Sequence, residues 1–423
     1  MKDPTSKTEV LVVASSYPSV SQPWIESHLR QLDQAGIDFR ILSFSSPPID
    51  DSQPSLSRFL NKATFLSWET IDVVRSAIMG VVRNPLPAIP AFIAALRTSQ
   101  GIAMGVKSRL RIALFTLHLR NSIGPVPNAR VLHVHFDQDA ALLIPWALAG
   151  SVPLISTYHG LNPYGVSRND LGYREVAYRH SAAILANTGF AGDQATQLGC
   201  PERKVRIIPQ PIHLEDFPFR PLPPPEPGQP LRILTVGRLQ RDKGQAYAVL
   251  AAARMHQARI PFVWTFVGTG PDRDRLLHLV SRFGLGDTIS FVDRMTQSDL
   301  KDEYHRSHVL VLPSVSNKHG HLIETQGVVL QEAQASGCLV VSTRVGGIPD
   351  CVSDDIDGIL VAERDSSAIF SALRRLYSST DNWERIRQNG RTRVIEQFDA
   401  TIVGDKIRRL YQLLVGSPQS RSA

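Results

Sequence analysis

Residues 236–244 read VGRLQRDKG, and three cations, Arg238, Arg241 and Lys243, fall between Gly237 and Gly244. A guanidinium can fork two oxygens of one phosphate, and an ammonium adds a compact charge. A second group lies in ETQGVVLQEAQASG (324–337), where Glu324 and Glu332 stand eight residues apart. A carboxylate can accept two neighbouring hydroxyls at once, as on a ribose or a hexose. The N–H groups that open the following helix suit a phosphate or sugar oxygen. Each group also has a plain alternative. VGRLQRDKG could be a solvated surface turn, and the two glutamates could simply favour the start of a helix.

The elements around these residues give them positions. LRILTV (231–236) reads as a strand, and QAYAVLAAARMH (245–256) reads as a helix. Arg238 and Lys243 therefore stand at the carboxyl end of a strand, where open α/β sheets bind ligands. A helix is expected from near Val328 to Gly337, with Glu332 in its first or second turn and Glu324 in the loop before it. Short apolar runs recur along the chain: EVLVVAS (9–15), FRILSF (39–44), VLHVHF (131–136), PLISTYH (153–159), AAILAN (182–187) and VRIIPQ (205–210). After PFRPLPPPEPGQP (218–230), with its seven prolines, the pattern restarts with LRILTVG, FVWTFVG, TISFVD, HVLVLPS, CLVVST and GILVA. Strands alternating with helices predict parallel sheets covered on both faces. The proline run cannot form regular structure and is expected to be a stiff linker. The sequence thus divides into an α/β domain over 1–217, a linker over 218–230 and a second α/β domain over 231–397. A helix and tail over 398–423 complete it.

The chain has 423 residues, 43% hydrophobic and 20% charged, which fits a soluble two-domain protein. Its formal net charge is +7, which favours anionic partners. Three cysteines, Cys200, Cys338 and Cys351, give no disulfide framework and fit a reducing compartment. The polar N-terminus has no signal-peptide pattern. The uncharged stretch 140–158 is interrupted by Pro145, Gly150 and Pro153 and reads as a buried helix and a buried strand. Residues 65–121 look helical and strand-free. Between residues 73 and 136 there are eight Lys or Arg and no Asp or Glu, with Ile102, Val106, Leu110 and Leu114 at helical spacing. This insert suits either an anionic membrane surface or a solvated face packed on its domain.

Other motifs narrow the chemistry. No GxxxxGK[ST] occurs, and VGTGPDRD (267–274) lacks the third glycine of a dinucleotide fingerprint. His133 and His135 alternate on one strand and point the same way. No further ligands at zinc-site spacing accompany them. His135 is expected to line a cleft, and His319 and His321 to touch an acceptor or solvent. No aromatic-interleaved basic patch points to nucleic acid.

Taken in order, the motifs resemble the retaining glycosyltransferases of family 4 with the GT-B fold, over nearly the whole chain. SSYPSVSQPWIESHL (15–29), LHVHF (132–136), STYHG (156–160), IIPQPIHLEDF (207–217), GRLQRDKG, VGTGPDRDRL, VLPS and EAQASGCLVVSTRVGGIPD carry the likeness. The opening segment and the basic insert most resemble the exopolysaccharide, colanic-acid-like branch. The resemblance implies two Rossmann-like domains facing across a cleft, with the last helix, near 400–415, crossing back to the first. Arg238 and Lys243 would bind the donor diphosphate. Glu332 would grip the ribose, and Glu324, Gly327 and Val328 would face the donor sugar and phosphates. His159 would stand near the transferred sugar, and Val292, in the loop 292–295, would contact the base. Ser21 and Gln22 would approach donor phosphates or acceptor. No cofactor or metal is implied, and a front-face mechanism is the usual proposal. The partners would be a nucleotide-sugar and a glycan or lipid-linked saccharide, in the cytoplasm or peripherally at the cytoplasmic face of the membrane. The sequence departs from the family at Pro211, His213 and Thr325, and lacks a second glycine in 15–24. Two alternatives stay open: a sugar-nucleotide epimerase on the same fold, and a catalytically silent partner subunit.

Overall fold

The computed structural model describes residues 8–19, 23–45, 58–161, 167–316 and 323–416. The chain forms two compact units. The first comprises Met1–His159, Gly165–Ile208 and Val403–Ala423; the second comprises Gly160–Tyr164 and Pro209–Ile402.

The first unit is built on a parallel sheet of seven strands: β1 (Thr8–Ala14), β2 (Phe39–Ser43), β3 (Ala63–Phe65), β4 (Ala129–Val134), β5 (Leu154–Tyr158), β6 (Ala183–Ala186) and β7 (Val205–Ile207). Their order is β3-β2-β1-β4-β5-β6-β7. Val10, Val12, Val13 and Ala14 are buried, as expected of a strand covered on both faces. Strand order reverses between β1 and β4, which pair directly through Val12 and His133. The helix Asp137–Ala149 and β5 take up the uncharged stretch, with Trp146 fully buried. Strand β3, Ala-Thr-Phe, has no buried residue and no Val, Ile or Leu, so it shows no apolar run in sequence.

Three helices follow β3: Thr70–Arg83, Pro85–Thr98 and Val106–Ser122. Ile102 is buried among them and Leu114 packs on their core, whereas Val106 and Leu110 stay exposed. The spacing that suggested one amphipathic stripe is thus split between core and solvent.

The second unit has six parallel strands: β8 (Leu231–Val236), β9 (Phe262–Val267), β10 (Ile289–Val292), β11 (Val309–Leu312), β12 (Leu339–Thr343) and β13 (Ile359–Val361). Their order, β10-β9-β8-β11-β12-β13, is that of a doubly wound nucleotide-binding sheet, reversing between β8 and β11. The helix Gln245–Gln257 lays Ala248, Val249, Ala251 and Ala252 on the sheet with Trp264 and Phe266.

The proline run lies along the second unit. Arg220 N–H donates to Ser336 O at 3.1 Å, and Arg387 Nη2 donates to Leu222 O at 2.8 Å. His308 Nε2 meets Pro223 O at 3.0 Å. The run is therefore a strap tied to one unit, and the chain passes between units at Ile208 and Pro209. Prolines suit this role because their carbonyls accept bonds while their nitrogens carry no N–H that needs an acceptor. The final helix, Ala400–Gly416, belongs to the first unit from Val403 onward. Val403, Ile407, Leu410 and Tyr411 recur at helical spacing and are buried.

Candidate functional site

In the second unit, the loops leaving β8 and β11 meet beyond the carboxyl ends of the strands, at the point of reversal. The β8 loop turns through the 3-10 helix Arg241–Lys243 and enters its helix at Gly244, with φ of 66°. A Cβ on Gly244 would lie 1.9 Å from Pro313 O in the β11 loop. Val315 N–H donates to Asp242 O at 2.8 Å and ties the loops together. Nearby, a Cβ on Gly268 would lie 2.2 Å from Gly237 O, and one on Gly270 would lie 2.2 Å from Leu239 O. The GxG of VGTGPDRD thus lets the β9 loop pack against the β8 loop. We expect Gly244→Ala to cost at least about 2 kcal/mol, through both left-handed backbone and clash. Gly36→Ala, at φ of 68° but with nothing within 4 Å, should cost only about 1 kcal/mol. Thermal unfolding of the two variants checks the difference; equal shifts would remove the close approach as its cause.

This packing brings Lys243 and Glu324 together, with Nζ 2.5 Å from Oε2. Ser314 Oγ, from the β11 loop, donates to the same oxygen at 3.4 Å. The pair is part-exposed, with side chains 22% and 14% accessible. Glu324 is pinned through its backbone: Gly347 N–H donates to Glu324 O at 2.9 Å, and a Cβ on Gly346 would lie 2.1 Å from that oxygen. Gly327, at φ of 74°, caps the helix Val328–Ser336, so Gly327 and Val328 present the helix start expected of them. Gln326 is buried and binds the backbone of Gln210 twice, accepting its N–H at 2.8 Å and donating to its carbonyl at 3.2 Å.

Arg238 is exposed at the end of β8, and its guanidinium has no partner among the described residues. Its carbonyl accepts from Gln245 Nε2 at 2.8 Å, which fixes the backbone and leaves the side chain available. Glu332, one turn into its helix, is tied to Tyr304 Oη at 2.6 Å. Burial raises its pKa, and the Tyr304 bond and nearby Lys301 oppose that. No bond joins Glu332 to Lys243 or Glu324 among the described residues. Val292 ends β10, and its carbonyl accepts Gly268 N–H at 2.9 Å. Sequence reasoning missed Ser314, Gly346, Gly347, Gln326 and Tyr304. The doublet at 346–347 within VGGIPD was the one available signal, because paired glycines mark close backbone approach.

In the first unit, His135 and His159 follow β4 and β5. His28, His133, His135 and Tyr411 form a buried cluster, and the half-buried His159 stacks on His135 beside it. His133 Nε2 meets Thr157 Oγ1 at 2.8 Å, and its Nδ1 meets Tyr411 Oη at 2.7 Å. Tyr411 Oη meets His28 Nε2 at 3.2 Å, and His28 Nδ1 meets His135 Nε2 at 3.0 Å. The His133 and His135 rings stack at 5.2 Å, so the two residues do share a face. Burial holds all four histidines neutral: His28 is pushed down to about 3 and His159 to about 4, and His133 and His135 lie well below the usual value. His28 was not anticipated, because a single histidine on an amphipathic helix gives no sequence signal. Ser21, Gln22, His319 and His321 lie outside the described residues. Among the described residues, no group of three or more His, Cys, Asp or Glu could hold a metal ion.

The Lys–Glu pair and the open Arg stand at the strand reversal of a doubly wound sheet, the place where open α/β proteins bind ligands. Comparison with known proteins narrows this to a family. Residues 24–216 match the Glycosyltransferase Family 4 model, and residues 221–393 match the model for Glycosyl transferases group 1. The chain belongs to this glycosyltransferase family and has the GT-B fold. It is similar to a candidate colanic acid biosynthesis glycosyltransferase, WcaL, of Escherichia coli K12, at 28% identity over 243 residues, covering 57% of this chain and 59% of WcaL. It is also similar to the amylovoran biosynthesis glycosyltransferase AmsK of Erwinia amylovora, at 28% identity over 217 residues, covering 51% of this chain and 53% of AmsK. The matches thus span less than two thirds of either relative. The crystal structure of Anabaena Alr3699/HepE in complex with UDP and glucose shares the fold, with a TM-score of 0.71 at 14% identity over 96% of this chain and 99% of that one.

Proposed function

We propose that the protein is a retaining glycosyltransferase. It moves a sugar from a nucleotide-sugar to a saccharide acceptor, lipid-linked, in the building of an exopolysaccharide. The observation that carries this reading is the Lys243–Glu324 pair at the β8/β11 reversal, beside the open Arg238. Arg238 and Lys243 neutralise the departing diphosphate, where other enzymes use a divalent ion. The bond from anomeric carbon to phosphate oxygen breaks on the face where the acceptor oxygen bonds, and the acceptor proton passes to the leaving phosphate. Glu324, with the N–H groups of Gly327 and Val328, faces the donor sugar and phosphates. Glu332 holds the ribose hydroxyls with its second oxygen, while Tyr304 holds the first. Val292 and its loop meet the base, and His159 serves the sugar side. The names of the WcaL and AmsK relatives support the polysaccharide assignment, and the UDP and glucose of the Anabaena structure support the donor class.

Titration calorimetry with UDP, GDP and ADP, in the presence of a chelator, tests the donor site. One nucleotide should bind without metal, and Glu332→Ala should weaken it at least about tenfold, the cost of charge-assisted bonds to two hydroxyls. Binding that vanishes with the chelator would overturn the metal-free reading. No binding by any nucleotide would favour a silent subunit.

A further inference from the structure

The helices Thr70–Arg83 and Pro85–Thr98 carry an apolar face that nothing in the described chain covers. In the first, Val73 and Ala77 turn inward, while Ile71, Ile78 and Val82 recur on the opposite side. In the second, Ala88, Ala95 and Thr98 turn inward, while Leu86, Ile89 and Ile93 face outward. The outer residues are openly exposed: Ile71 at 78%, Val82 at 71% and Leu86 at 86%. Val106 and Leu110 of the next helix add to the exposed apolar surface. Scattered exposed leucines need no explanation, but two successive helices each with an outer apolar row do.

The charge around this face selects its occupant. Arg75, Arg83, Arg97, Lys107 and Arg111 are exposed on the same three helices against a single exposed acid there, Asp72, and residues 73–136 contain no acid. A second copy of the chain would set one cationic face against another and repel it. An anionic bilayer surface is complementary in both respects. Its headgroups meet the cations, and its acyl boundary takes the apolar rows to a shallow depth, with Lys and Arg stems reaching back to the headgroups. None of the described helices is long and apolar enough to cross a membrane, which leaves the pair to lie in the interface. We infer that the helical pair Thr70–Arg83 and Pro85–Thr98 is an interfacial anchor that seats this chain on anionic phospholipid. The inference concerns where the chain resides and does not depend on which sugar it moves.

Sedimentation of the full chain with vesicles of phosphatidylcholine containing about 30% phosphatidylglycerol, an anionic surface that attracts Lys and Arg, tests it. The chain should bind these vesicles, bind pure phosphatidylcholine at least about tenfold more weakly, and release progressively as salt rises. The triple variant Val82→Ser, Leu86→Ser, Ile89→Ser should lose at least about tenfold in vesicle binding, since it removes apolar burial and no charge. Its helical circular dichroism and nucleotide binding should be unchanged, because the three side chains are exposed. Three outcomes would overturn the inference. One is no binding to the anionic vesicles by folded protein. Another is binding that the triple variant leaves intact. The third is a concentration-dependent dimer that the triple variant dissolves, which would make the face a self-association surface.

Discussion

Lys243→Ala is expected to lower kcat about 100- to 1,000-fold, the range seen when one preorganised charge-stabilising donor is removed. The charge of the leaving diphosphate develops as the sugar departs, so a fixed ammonium at that point gains most in the transition state. The Lys243 turn is rigid for reasons that survive the substitution: Gly244 packs on Pro313 O, and Val315 N–H holds Asp242 O. The fold should therefore persist. The loss has a second component. Without its partner at 2.5 Å, the Glu324 carboxylate stands unpaired beside a phosphate site and repels it. Glu324→Gln in the Lys243→Ala background should then recover part of the nucleotide affinity, though little of kcat. Steady-state nucleotide release with the donor identified by calorimetry provides the measurement. A Lys243→Ala enzyme within tenfold of the parent would remove Lys243 from the transition state.

Much of this architecture was legible from pattern. Twelve apolar runs gave twelve of the thirteen strands, because strands buried on both faces read as continuous Val, Ile and Leu. Only β3, an Ala-Thr-Phe strand with no buried residue, left no signal. The start of the helix at Val328 and its end at Gly337 were legible because glycines at both ends adopt positive φ. The Lys243–Glu324 contact was not legible from spacing, since 81 residues separate the partners and only the strand order β8-β11 brings them together. The proline run misled for a related reason. Composition shows that it cannot be helix or strand, but not that Ser336, His308 and Arg387 bind it along one unit. The insert was half legible: its charge bias was visible, while the side each apolar residue faces depended on packing against the helix Val106–Ser122.

Acidification should destabilise the first unit steeply, because its four clustered histidines are folded neutral. His28 has a folded pKa of about 3, against about 6.5 in the unfolded chain. Between those values the unfolded chain binds a proton that the folded chain refuses. Stability is therefore fully present above pH 6.5 and is lost as pH falls toward 3, by about 1.4 kcal/mol per pH unit for each such group. Four groups would lose more than about 5 kcal/mol per unit if nothing opposed them. Glu26, raised by burial to about 7, and Asp139, raised to about 6, do oppose them. Their folded forms keep protons that the unfolded chain releases above the ordinary carboxyl range, so their contribution grows as pH falls toward 4.5. His28→Gln isolates one histidine from this balance. At pH 7.5 the variant should be less stable by about 1–2 kcal/mol, having lost bonds to His135 and Tyr411. By pH 5 the wild type has given up about 2 kcal/mol on account of His28, and the two curves should meet or cross. Urea-dependent hydrogen exchange of the Ala129–Val134 strand reads the first unit alone. Parallel curves from pH 7.5 to pH 5 would mean that His28 takes up its proton in the folded state. The chain from Thr157 through His133, Tyr411 and His28 to His135 would then carry charge rather than exclude it.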